Sequence, residues 1–572
     1  VRAPAAAPRT AARTVALLLA ALTLVALGLR WESAVRSGMW RDEALFLAIV
    51  RDLSPPDMLR FLRHDESHPP LFYLLMRAWL ALFGPTDAAA LALPVLLGGA
   101  AVPAAYAAAS RAFGRTAGAV AALLVAVNPL LTGQAGSARP YSLLPLLVFL
   151  SVHLLWHALT ESGTGGGRAD ARRWGAYAAV TALALYTHNW AWVAWATSAV
   201  GVGLVLAAGW VGGVRRRRVA QGWLGAQAAV FALYAPWLPT LLYQARHAGH
   251  SLADRPVGPA ATAGFLTDMV SRAWGVPSGL LLAAGLTFVG LAAWAVVRRV
   301  AGFCSAPPER AAVVLHAVTG FGAAALPFCL TPWVNLINAR CYTAVVPSLL
   351  LLAAAAVAAP AAAALQRRTD ARAGVLVTVL LAAGLTAGAA HGLYRVRHFG
   401  RSNAREIAAA VAQNARPGDL VVVAPEWIAS SFNRYFRPSN EQIDFPEMGR
   451  EQYMRFSDVA ARTGDPATLR RAAERIDQAR RAGARVWLVT LPRVVRYDVS
   501  LGDPLPAGVS PTDYAGVGFF RSEQLAAHLV RRYGPPAAAV EQEDGERRYQ
   551  ERIEAYLFAP GPASPPPPAG DR

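Results

Sequence analysis

Two polar clusters interrupt an otherwise apolar N-terminal half: Trp40-Arg41-Asp42-Glu43, and His64-Asp65-Glu66-Ser67-His68-Pro69-Pro70. Both lie in one stretch, Trp40 to Pro70, that follows directly on a hydrophobic run long enough to cross a bilayer. Acidic residues this dense at a membrane surface are costly to keep, so they point to chemistry. His64, Asp65, Glu66 and His68 include ligand types for a divalent metal. Tight clusters of this kind are usually solvated or pair with nearby arginines, so no metal and no other cofactor is expected.

The elements that must position these residues follow from composition. Of 572 residues, 55% are hydrophobic and 16% charged, and apolar runs of about 20 residues recur through the first two thirds, the pattern of a polytopic α-helical membrane protein. The formal charge is +19, which raises nucleic acid as a partner. All of the positive side chains are arginine, however, clustered between hydrophobic runs, so loop orientation accounts for them and nucleic-acid binding is not expected. Cys304, Cys329 and Cys341 have no metal spacing; free thiols are expected over a Cys329–Cys341 bridge.

Arg2, Arg9 and Arg13 precede the run Val15 to Leu29 and place the N-terminus in the cytoplasm, with that run a retained first helix rather than a cleaved signal. The loop at 31–87 is then extracytoplasmic. Within it Leu71 to Phe83 spans only about 20 Å as a helix against roughly 30 Å of hydrocarbon, so it is expected to lie on or dip into the outer surface, bounded by Pro69-Pro70 and Gly84-Pro85. Further spans are expected at Ala88 to Ala109, Gly118 to Leu131 and Tyr141 to Leu159. The run Trp174 to Val211 is too long for one helix and is split at Thr187-His188-Asn189. Others follow at Trp223 to Pro239, Leu280 to Val297, Ala311 to Leu330, Tyr342 to Leu365 and Val375 to Gly392. The expected total is about eleven, in a membrane domain over 1–393 with the C-terminus outside.

After Tyr394 the pattern changes to strands alternating with helices: a helix at Ala404 to Asn414, a strand at Asp419 to Ala424, a helix at Ala467 to Ala482 and a strand at Arg485 to Thr490. This predicts an extracytoplasmic α/β domain over 394–560, read as an accessory cap, and a Pro-rich disordered tail at 561–572. No phosphate loop or nucleotide fingerprint is present in it. On this topology Asp42, Glu43, Asp65, Glu66, His68, Arg139, Tyr141, His188, Asn335, Asn338, Arg340 and Tyr342 all fall at the outer face. Each alone is bland; together they suggest a site.

Trp40-Arg41-Asp42-Glu43, His68-Pro69-Pro70-Leu71-Phe72-Tyr73-Leu74-Leu75, Phe83-Gly84, Ala138-Arg139-Pro140-Tyr141, Tyr186-Thr187-His188, Pro236-Trp237-Leu238-Pro239 and Arg340-Cys341-Tyr342 occur in one order along the chain. The set resembles bacterial members of glycosyltransferase family 39, GT-C membrane enzymes similar to protein O-mannosyltransferases and aminoarabinose transferases. The resemblance covers roughly Val15 to Gly392. Two departures stand out: the aminoarabinose transferases carry Lys where His68 stands, and Cys341 interrupts an arginine motif that commonly reads Arg-Tyr.

The resemblance implies transfer of a mannose-like hexose or related sugar from a polyprenyl-phosphate donor, lodged in the lipid bilayer, to a hydroxyl of an extracytoplasmic protein, lipid or glycan, with inversion. Asp42 would be the general base, with Glu43 beside it in the catalytic pair. Arg139 and Arg340 would stabilise the departing lipid phosphate. His188 would donate to the same oxygens, and Asp65, Glu66, His68, Tyr141 and Tyr342 would complete the substrate site. Besides a sensor or assembly protein that binds a partner through the α/β domain, the competing class is a transporter or flippase of lipid-linked substrates. It should carry ionisable residues near mid-bilayer on broken helices, whereas these spans are nearly charge-free.

Overall fold

The computed structural model describes residues 9–66, 68–164, 166–211, 213–247, 307–330, 340–367, 371–437, 440–447, 456–491, 498–511, 513–540 and 548–559. The expected span Leu280 to Val297, together with Asn335, Asn338, Cys304 and the Cys329 side chain, lies outside these. Two compact units emerge. The first takes its described residues from Val1–Val35, His68–Gln244 and Arg255–Arg397; the second takes them from Arg36–Ser67, Ala245–Asp254 and His398–Arg572. The 31–87 loop is therefore divided between the units: 31–35 and 68–87 fall in the first, and 36–66, with Asp42, Glu43, Asp65 and Glu66, groups with the C-terminal residues.

The first unit is helical. The helices Arg9–Arg36, Asp87–Phe113, Leu143–Glu161 and Ala371–His398 are each long and apolar enough to cross a bilayer, and the bent pair Arg115–Val127 plus Pro129–Ala135 adds a fifth if taken as one span. By this test the described residues supply four or five of the roughly eleven expected spans. Arg9–Arg36 and Ala371–His398 leave most of their apolar surface uncovered, Leu17 at 71% and Leu380 at 61% exposed. In water such faces would be a large unburied apolar patch, so lipid is their natural cover. The buried core is built from small residues and leucines of Asp87–Phe113, Arg115–Val127, Leu143–Glu161 and Val346–Arg367. Ala and Gly let these backbones approach closely.

Two local expectations hold. Leu71–Phe83 forms a helix with those bounds, closed by Gly84 at φ 86°, a left-handed residue that ends helices without steric cost. It is tied by Trp79 Nε1–H to the carbonyl of Ala89, 2.8 Å away. The run from Trp174 breaks at His188-Asn189, giving the helices Gly167–Thr187 and Ala191–Ala207.

Among its described residues the second unit carries seven strands: β1 (Phe399–Ser402), β2 (Leu420–Val423), β3 (Glu441–Asp444), β4 (Val486–Thr490), β5 (Ala538–Val540), β6 (Arg548–Glu551) and β7 (Glu554–Phe558). The main sheet has the order β3-β2-β4-β7-β5, parallel across β3, β2 and β4 and antiparallel at β7 and β5, while β1 pairs with β6 in parallel. β2 and β4 are buried on both faces, which is why they read as unbroken Val/Leu runs. The helices Ala404–Asn414 and Pro466–Arg481 match expectation closely. β1, β3, β5, β6, β7 and the helices Phe456–Gly464 and Tyr514–Tyr533 were not anticipated. The helices Arg41–Asp52 and Pro55–His64, which carry the first acidic cluster, belong to this same unit.

Candidate active site

In the first unit three breaks in helical structure deliver the predicted residues. Asn128-Pro129 bends the fourth apolar segment by 53°; Asn128 caps the short helix that follows, its side chain accepting from Leu131 N–H at 3.0 Å. Beyond that helix the chain turns through Ser137, with Arg139 N–H donating to the Ser137 carbonyl at 2.7 Å. This leaves Arg139 5% exposed and Tyr141 likewise. The second break presents His188 at the C-terminal end of Gly167–Thr187. The third is the 3-10 turn Cys341–Ala344, which buries Tyr342 and begins at the partly buried Arg340.

These side chains converge. One Arg139 guanidinium nitrogen sits 3.3 Å from His68 Nε2 and 3.4 Å from Nδ1. Near-equal distances to both ring nitrogens put it over the imidazole face rather than in its plane, where it would collide with Cε1. The His68 and His188 rings meet edge to face with centroids 5.0 Å apart, and Tyr141 lies 5.8 Å from His188. Trp190 N–H donates to His188 Nδ1 at 3.1 Å, which makes Nδ1 the acceptor and assigns the ring proton to Nε2. The Trp190 ring in turn packs on Tyr342 at 4.8 Å. The result is a cationic, aromatic-walled corner with an imidazole N–H donor, suited to an anionic oxygen. Among the described residues, no three or more His, Cys, Asp or Glu side chains group as metal ligands.

Sequence reasoning overlooked Arg30. It is fully buried and donates to the carbonyls of Val125 and Ala126, each at 3.0 Å, and to Ala26 at 3.1 Å. The Val125 and Ala126 carbonyls lie at the end of the helix that Asn128-Pro129 interrupts, so Arg30 stabilises the bend that presents Arg139. Gly98 makes room, since a Cβ there would press on Arg30 Nε. An arginine within the last turns of an apolar run was the available signal.

The second unit holds Asp42, Glu43, Asp65 and Glu66. Asp42 and Glu43 occupy the first turn of Arg41–Asp52, where the helix dipole favours carboxylates. Asp42 keeps a 30% exposed carboxylate, 3.5 Å from the Arg41 guanidinium. Glu43 is wholly enclosed: it accepts from Trp40 N–H at 3.3 Å and pairs with Arg401 Nε at 3.0 Å. Asp65 closes the helix Pro55–His64, donating its N–H to the Phe61 carbonyl, and Glu66 follows it partly buried. Arg41 also lies over the Trp40 and Trp427 rings, at 5.7 and 6.0 Å.

Three carboxyls of this unit, the buried Glu426 and Glu551 and the partly buried Asp444, were also missed. Burial pushes Glu426 up to about 8, with Asp444 adding to the rise and Arg41 opposing it. Burial raises Glu551 to about 7, against the Ser402 and Ser431 hydroxyls and Arg41, with nearby Asp42 adding to the rise. Asp444 rises to about 6, again through burial. Removal from water disfavours the charged form, so near neutral pH Glu426 is held protonated. Nothing local in the sequence marks these residues; only the assembly of the sheet encloses them.

No protein-family model matches the chain, and no curated protein matches it by sequence. Solved structures do match in fold. ArnT from Cupriavidus metallidurans bound to undecaprenyl phosphate aligns with a TM-score of 0.54 at 15% identity, covering 96% of this chain and 99% of that one. The oligosaccharyltransferase AglB from Archaeoglobus fulgidus, in complex with an inhibitory peptide and a dolichol-phosphate, aligns at 0.53 and 12% identity over 83% and 69% of the two chains. The chain therefore shares the fold of these two structures.

Proposed function

We propose that this protein is a membrane glycosyltransferase that moves a sugar from a polyprenyl-phosphate carrier to an acceptor hydroxyl outside the cytoplasm. The observation carrying the reading is the enclosed Arg139, packed against His68, whose ring in turn meets His188, on a fold shared with a protein solved with undecaprenyl phosphate. A lipid phosphate gains charge as the glycosidic bond breaks, and a desolvated guanidinium with an imidazole N–H stabilises that charge more in the transition state than before it.

Asp42 takes the proton of the acceptor hydroxyl as its oxygen bonds to the anomeric carbon. The bond from that carbon to the phosphate oxygen breaks on the opposite face, its electron pair leaves with the phosphate, and configuration inverts. Arg139 and Arg340 hold the phosphate, His188 donates to it through Nε2–H, and Asp65, Glu66, His68, Tyr141 and Tyr342 line donor and acceptor. The chemistry uses no metal, so turnover should survive chelation. The sugar is a hexose of the mannose type or a relative. The acidic turn and the C-terminal domain face the outside, so an impermeant thiol reagent should label a cysteine placed in that domain of intact cells and spare Arg217→Cys.

The deciding experiment supplies purified, lipid-reconstituted protein with a panel of polyprenyl-phosphate sugars and follows release of polyprenyl phosphate. Arg139→Ala and Arg340→Ala should weaken donor binding and lower turnover by about 10² to 10³. Failure of the parent to consume any donor, or parental turnover in both variants, would sink the reading.

A further inference from the structure

We infer that Arg401, in the C-terminal domain, is a positioning residue that sets the catalytic base by clamping the helix that carries Asp42. The inference rests on the role proposed for Asp42, and makes the domain a working part of the site rather than an accessory cap.

Four attachments between the Arg36-to-Glu43 segment and the C-terminal domain lie within one compact unit. The backbone N–H groups of Arg401 and Ser402 in β1 both donate to the Ser37 carbonyl, at 2.6 and 3.1 Å. Gly38 follows at φ +63°, and a Cβ built on it would run into the Ser402 carbonyl oxygen, so only glycine passes this close to β1. Ser430 Oγ then donates to the Arg41 carbonyl at 3.3 Å. Finally, Arg401 Nε donates to Glu43 Oε2 at 3.0 Å, both side chains being nearly or fully enclosed.

The first three attachments fix where the helix begins; the fourth fixes its rotation. Glu43 is the neighbour of Asp42, so the angle at which the Glu43 carboxylate meets Arg401 sets the direction in which Asp42 projects. Glu43 itself, enclosed and engaged by Arg401 and Trp40 N–H, takes no proton from substrate; it transmits the position of β1 to Asp42. Base catalysis demands this precision, because a base displaced by about 1 Å can lose about 10² in rate. Breaking one half of a buried ion pair leaves the other charge enclosed and forces the helix to shift or water to enter.

The experiment is a double-mutant cycle over parent, Arg401→Gln, Glu43→Gln and the double variant, in lipid. It reads kcat, the donor KM, and hydrogen exchange of the amides in Arg41–Asp52. Arg401→Gln should lower kcat by about 10² with an unchanged donor KM and faster exchange. The double variant, with no buried charge stranded, should recover to within about tenfold of the parent. Parental kcat in Arg401→Gln, or equal losses in the single and double variants, overturns the inference. A parent without transferase activity defeats the functional reading instead. Unchanged exchange across Arg41–Asp52 in Arg401→Gln would then still defeat the clamp.

Discussion

The two units satisfy buried polar groups by different means. In the helical unit the partner is usually a backbone carbonyl: Arg30 donates to Val125 and Ala126. Thr181, Thr187, Thr197 and Thr386 donate to carbonyls four residues back in their own helices, at 2.7 to 2.9 Å. Its described ion pairs, Arg173–Asp170 and Arg397–Glu32, sit at helix ends with some exposure. In the α/β unit several partners are charges: Arg401 for Glu43, the two-pronged Arg485 for Asp419 at 2.6 and 2.9 Å, and Arg532 for Asp477, which also meets His528 Nε2 at 3.0 Å. The difference teaches where a lipid-facing protein places its chemistry. A carboxylate deep among apolar helices is expensive, so cations there are met by carbonyl dipoles freed at helix breaks. Those breaks are also where Arg139, His188 and Tyr342 emerge. The carboxylates collect in the other unit, which supplies counter-charges.

The comparison is sharpened most by Asp42→Asn, which keeps size and hydrogen bonding but removes the proton acceptor. Turnover should fall by roughly 10² to 10⁴ while donor binding persists. Normal turnover would remove Asp42 from the base role. Next in size, Arg485→Met strands Asp419, whose carboxyl is 4% exposed, and should destabilise by about 3 to 5 kcal/mol in thermal or denaturant unfolding. Arg30→Met should cost less, about 1 to 3 kcal/mol, because what it strands is neutral carbonyl. A larger loss from Arg30→Met would break the contrast between the units.

The pH dependence of stability follows from the same contrast and carries two signs. Burial raises the Asp419 carboxyl, but the hydrogen bonds and charge of Arg485, together with the Arg416 N–H and the Trp487 indole, outweigh it and leave it below its ordinary value. That stabilisation is present above the unfolded pKa and is lost as pH falls through the folded one. Glu426, pushed up to about 8 from an ordinary 4.5, binds a proton more tightly folded than unfolded. Its contribution therefore declines as pH rises through that window, with a slope approaching 1.4 kcal/mol, roughly, per pH unit. Glu426→Gln should flatten the fall in stability between pH 5 and pH 8; an unchanged slope would assign it to other groups. The smallest effect is expected at the half-exposed pair of Arg475 and Glu441, where Arg475→Ala should change stability by less than about 1 kcal/mol.

Much of this molecule was legible in the sequence. The short helix Leu71–Phe83 followed from its length and the Pro and Gly that bracket it. The break at His188 followed from a polar interruption in a run too long for one helix. β2 and β4 followed from runs of Val and Leu between turn residues. These are local properties, set by propensity and by the length a bilayer demands. The short strands β3, β5, β6 and β7 carry weaker patterns, because one or two residues facing a sheet already formed suffice to hold them.

The residue types of the candidate site were readable too, since arginine, histidine and aspartate beside long apolar runs are costly unless used. What the sequence could not hold was which of them meet. That Arg139 lies over His68, and that His188 keeps its proton on Nε2, depends on separate stretches of the chain converging. That Glu43 faces Arg401, 358 residues away, and that Glu426 is sealed into neutrality, depends on the first loop packing with a domain encoded at the far end of the chain. Propensity and hydrophobic length act over a few turns and are written in the sequence. The partner of a buried charge is chosen by long-range packing, and only the tertiary structure decides it.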